Sequence, residues 1–113
     1  MIASFPGRRF QLWLYKVSHG SLLVRSPKGP DVGTNVDLMF AGVEFVELPR
    51  HLRGVEFDHG SSDDVRRAED AIGHAVDPGR VFVLRTDGRR HVVVAAGFEV
   101  REHEDDLFSD PFE

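Results

Sequence analysis

Residues 81–101 read VFVLRTDGRRHVVVAAGFEVR, and this stretch decides the fold. Val81 to Arg85 is apolar and β-branched, as strands prefer. Asp87-Gly88 follows, a pair suited to the two-residue type I′ hairpin, whose central positions both need positive φ. His91 to Arg101 then returns as the partner strand. Period-2 spacing assigns Val92, Val94, Ala96, Phe98 and Val100 to one face.

Upstream of the hairpin, residues 62–76 are expected to form one amphipathic helix. Val65, Ala68, Ile72 and Ala75 fall on one stripe at helical spacing. Ser61 with Asp64 three residues later has the pattern of a capping box. Asp63 and Asp64 put negative charge at the positive end of the helix dipole. The pairs Asp63–Arg67 and Arg66–Asp70 are spaced for salt bridges along the helix. Asp77-Pro78-Gly79 reads as its stop.

Towards the N-terminus the pattern is again that of strands. Phe10, Leu12 and Leu14 alternate with Gln11, Trp13 and Tyr15, and Ser21 to Ser26 returns after a His19-Gly20 turn. Residues 27–33 (PKGPDVG) are a Pro- and Gly-dense loop. Val36, Leu38 and Phe40 alternate until the phase breaks at Ala41-Gly42, the mark of a bulge or tight turn. Val43 to Leu48 continues the run to Pro49, and Val55 to Phe57 is a short strand. Residues 1–8 read as a loose lead-in broken at Pro6-Gly7. Residues 102–113 read as an acidic tail. The expected architecture is therefore α+β. It has six or seven mainly antiparallel strands over residues 9–101, as a sheet or a partly closed barrel or sandwich, with one helix.

The chain has 113 residues, enough for one domain. Its 41% hydrophobic and 29% charged residues are those of a folded domain rather than a disordered one. Nineteen acids against fourteen bases give a net charge of −5, which opposes binding to nucleic acid phosphates. The absence of cysteine excludes disulfides, thiolate nucleophiles and cysteine-ligated metals, and favours a cytoplasmic setting. No signal-peptide pattern is read at the N-terminus, and no apolar run approaches the roughly 20 residues of a membrane span.

Few residues carry a chemical signal. The six histidines show no pairing at metal-ligand spacing, so no metal, cofactor or catalytic residue is assigned. Trp13 and Tyr15, set on one face by alternation, are the candidates for an aromatic ligand cavity. The segment Asp58-His59-Gly60-Ser61-Ser62-Asp63-Asp64 holds the residue types of a nucleophile and base, but adjacent residues rarely make that geometry, and helix capping explains it better. The loop at 29–33 lacks the Lys-Ser/Thr ending of a phosphate loop. Glu44 with Glu47, and Glu99 with Glu102, stand three apart on strands and so point to opposite faces. In the acidic tail, Leu107, Phe108 and Phe112 are the candidates for docking a partner.

The expected function is that of a non-catalytic interaction or accessory domain, able to neutralise a basic partner through its acidic surface. A protein partner or self-association is implied, with no nucleic acid and no membrane. The alternatives are a ligand-binding barrel or sandwich around Trp13 and Tyr15, and a small enzyme using the Asp58–Asp64 loop.

Overall fold

The computed structural model describes residues 1–106 and 110–112. The strands are β1 (Ala3–Lys16), β2 (Ser21–Ser26), β3 (Asn35–Ala41), β4 (Phe45–Val46), β5 (His51–His59), β6 (Val81–Thr86), β7 (Arg89–Val94) and β8 (Gly97–His103). The helix α1 spans Ser62–Ile72. All strands join one antiparallel sheet in the order β4-β7-β6-β5-β1-β2-β3-β8. The sheet is therefore neither a closed barrel nor a two-sheet sandwich, and it has eight strands rather than six or seven. Among the described residues no helix is long and apolar enough to cross a membrane.

The extra strand arises at a kink. Residues 91–101 were expected as one strand, but Ala95 and Ala96 interrupt it, and the chain passes from β7 beside β4 to β8 beside β3. The Ala96 N–H is shared between the Ala41 and Gly42 carbonyls at 2.9 and 3.2 Å. Gly42 itself has φ +62, and a Cβ there would lie 2.7 Å from the Ala96 Cβ. The kink also reverses the faces. Val92 and Val94 pack towards α1, whereas Val93, Ala95 and Val100 join the other core, so these apolar residues do not share one face.

The sheet curls around that second, larger core. Phe40 on β3 meets Phe57 on β5 at 5.6 Å between ring centres and Phe82 on β6 at 6.0 Å. Strands so far apart in the sheet order touch only if the sheet bends back on itself. Phe10, Leu22, Val24, Leu38, Leu52 and Leu84 complete this interior, all essentially excluded from solvent. The smaller core lies outside, where Val65, Ala68 and Ile72 of α1 cover Val81, Val92, Val94 and Phe45.

Strand β5 runs over His51–His59 rather than the short Val55 to Phe57 stretch, because it pairs with β1 on one side and β6 on the other. Three further boundaries shift for local reasons. β1 starts at Ala3, because Pro6 and Gly7 sit at a break in the β1–β5 register between Phe5 and Arg9. A proline without an N–H is tolerated at such a bulge. Helix α1 ends at Ile72 rather than 76. Gly73 takes the left-handed cap (φ +91) and its N–H donates to the Glu69 carbonyl, while Asp77 caps the next short turn instead. β8 extends to His103, so Glu102 and His103 are strand residues. The Asp87-Gly88 turn has φ of +49 and +74, as the type I′ assignment requires.

The start of α1 is anchored by charge. Ser61 and Asp64 form the capping box, and Arg90 of β7 grips both Asp64 oxygens at 3.0 and 2.6 Å. The Arg90 bonds, aided by those from Ser61 and opposed by burial, lower the Asp64 carboxyl from its ordinary 3.8 to about 2. A depressed acid stabilises the fold fully above its unfolded value and loses that contribution as pH falls through the folded one. Asp64→Ala should therefore cost about 2 kcal/mol at neutral pH, combining this term with the lost cap. It should also flatten the fall in stability between pH 3.8 and about 2, as read by urea melts across that range.

Candidate functional site: a basic cleft

The ladder between β5 and β6 runs from Glu56 to His59. Before that, β5 stays with β1 while β6 enters its hairpin with β7. The two diverge and leave an open cleft of about 560 Å³. Phe10 and Leu52, direct partners across β1 and β5, form its buried floor. The Thr86 hydroxyl donates to the Arg53 carbonyl at 2.7 Å and ties the two walls together at one point. Gly54 allows β5 to bend here. Its φ is +68, and a Cβ would meet the Pro6 oxygen at 2.7 Å.

The charged groups on its walls are mostly cationic. Arg9, Arg53 and Arg89 line the cleft with His51 and His91, against one carboxylate, Asp87. Arg9 and Arg53 stand directly opposite each other in the β1–β5 ladder. Like charges in such a cross-strand pair destabilise a sheet. Several other surface arginines are matched: Arg85 with Glu56, Arg90 with Asp64, Arg67 with Glu47 and Arg101 with Asp105. Among the described residues no carboxylate pairs with Arg9, Arg53 or Arg89. The His91 imidazole is held below its ordinary value by burial, and then by the charges of Arg67 and Arg89. It is thus inclined to stay neutral, able to donate one hydrogen bond or to take up a proton when an anion arrives.

The residues singled out in the sequence lie elsewhere. A register shift between Leu12 and Leu14 makes Trp13 a bulge residue. Trp13 lies over the Arg25 guanidinium at 5.5 Å, whereas Tyr15 stands opposite Leu22 of the interior core and is half exposed. The two aromatics do not share a face and neither lines this cleft.

The Asp58–Asp64 loop is brought together, but its groups are taken up by the fold. Asp58 accepts the His59 N–H at 2.8 Å, the largest influence holding its carboxyl below the ordinary range. The Ser61 hydroxyl and Asp64 serve the cap. His59 packs on the Phe82 ring at 5.6 Å. Among the described residues no three His, Asp or Glu are grouped to hold a metal ion.

Of the tail candidates, Leu107 and Phe108 lie outside the described residues. Phe112 is half-buried and, with Pro111, borders a groove of about 380 Å³ beside Met39, Phe40 and Phe98. Asp110 pairs with Lys16 at 2.5 Å, and the Asp105 carbonyl accepts from Asn35 at 3.0 Å.

Sequence reasoning missed Arg9, Arg53 and Arg89 because they are scattered along the chain. Only the β1–β5 register and the hairpin bring them together. The available signal was the DGRR turn and the RR pair at residues 8–9 in an otherwise acidic chain. Comparison of the chain with protein-family models, with curated proteins and with solved structures finds no match.

Proposed function

We propose that this protein is a non-catalytic binding domain that takes an anionic segment of a protein partner into the basic cleft. The observation that carries this reading is the convergence of Arg9, Arg53 and Arg89 on one concavity with no carboxylate partner among the described residues, in a chain where acids outnumber bases. A cross-strand arginine pair weakens the sheet. Residues that weaken a fold at a concave surface are the kind retained for binding. The fixed guanidinium fork suits oxyanions. The net charge of −5 would still repel acidic partners at long range, so contact rather than steering would supply the affinity.

The test is fluorescence anisotropy with a labelled Asp/Glu-rich peptide, comparing the protein with Arg9→Thr/Arg53→Thr. The intact protein should bind, more weakly as salt rises, and the double variant should lose at least about tenfold in affinity. The same variant should melt no lower than the parent, because its threonines relieve a like-charge pair and favour strands. Equal affinity for both proteins, or no binding by either, would remove the reading.

A further inference from the structure

We infer that the anion recognised in this cleft is a phosphomonoester, which deepens the binding reading above and rests on it. Three guanidiniums meet one carboxylate in the cleft, so a single carboxylate ligand would leave the cationic excess unmatched. A row of carboxylates spreads its charge along a peptide and would engage these arginines only in part, because they are gathered around one concavity. A phosphomonoester answers both conditions. It carries about −1.5 to −2 charge at neutral pH and three acceptor oxygens on one compact group. Arginine forks match it in charge and in paired hydrogen bonds.

The remaining walls fit the same group. The exposed Pro49 ring offers apolar contact to whatever carries the phosphate. His91 faces Arg89 on its own strand and Arg67 of α1, with His51, Arg9 and Arg53 across the cleft. Burial, and then the charges of Arg67 and Arg89, disfavour its protonation. A dianion between them would reverse that field, so His91 should titrate at higher pH when the site is filled.

The experiment uses the full chain and three probes. These are a short peptide with one phosphoserine, the same peptide with glutamate at that position, and a nucleoside monophosphate. Calorimetry gives the affinities, and NMR follows the His91 ring through a pH titration. The phosphoserine peptide should bind at least about tenfold more tightly than the glutamate peptide. Arg9→Thr should erase that preference, and the His91 midpoint should rise on binding. If the nucleoside monophosphate binds as tightly as the phosphopeptide, phosphomonoester recognition stands and the protein-partner reading falls. Equal affinity for glutamate and phosphoserine peptides overturns the phosphate inference and leaves the binding reading standing. Absence of binding by all three probes overturns both.

Discussion

Asp37→Ala should lower stability by about 3–5 kcal/mol in urea denaturation at neutral pH, the range for breaking a buried ion pair from one side. Arg25 and Asp37 are neighbours across β2 and β3, both fully excluded from solvent. The guanidinium donates to both carboxylate oxygens, at 2.7 and 3.0 Å. The Trp13 ring lies over the same guanidinium, and His103 Nε2 meets Asp37 Oδ2 at 2.6 Å. Removing the carboxylate takes away the two charge-assisted hydrogen bonds that grip a buried cation and deprives His103 Nε2 of its acceptor. The paired change Arg25→Met/Asp37→Leu should recover much of the loss, because it removes both charges and keeps the volume. A double variant no better than Asp37→Ala would mean that the packing of these side chains, not their charge, matters.

Phe57→Ala should be comparably severe, again about 3–5 kcal/mol. Phe57 is fully buried on β5 and touches the rings of Phe40, Phe82 and Phe98 at 5.6, 5.9 and 5.3 Å. Those rings come from β3, β6 and β8, so one side chain joins the two arms of the curled sheet. The contacts with Phe40 and Phe98 are edge-to-face, the favoured arrangement for aromatic pairs. Alanine there would leave a void that four strands cannot collapse around. Phe98→Ala, at the rim and 40% exposed, should cost far less, about 1 kcal/mol. Thermal melts of the two variants check the contrast.

The sequence was most informative where a local signal and the fold agree. Asp87-Gly88 specifies its turn through backbone conformation alone, and Ser61 with Asp64 specifies the helix start through hydrogen bonds within one turn. It was misleading wherever a bulge intervened. One extra residue moves every later side chain to the other face of a sheet. Such a shift at Trp13 separates it from Tyr15, and the kink at Ala95-Ala96 splits one apparent strand into two. Alternation cannot reveal either, since apolar residues continue on both sides of the break. The candidate site was hidden for a related reason. Arg9 and Arg53 become neighbours only through a register that depends on Gly54 and on the break at Pro6-Gly7. Their meeting with Arg89 needs β5 and β6 to part beyond Glu56. No short motif encodes that divergence.

The position of β8 bears on how the chain reaches its native state. β8 pairs with β3, and residues joined across that ladder, such as Asp37 and His103, are 66 positions apart. Closing so long a loop is entropically costly, and topologies dominated by distant pairings fold in milliseconds to seconds rather than microseconds. Until β8 arrives, the outer edge of β3 exposes unpaired backbone beside Met39 and Phe40, a template to which another chain could add. Crowded refolding should therefore favour dimers exchanged through β8. The kink at Ala95-Ala96 is the natural hinge for that exchange.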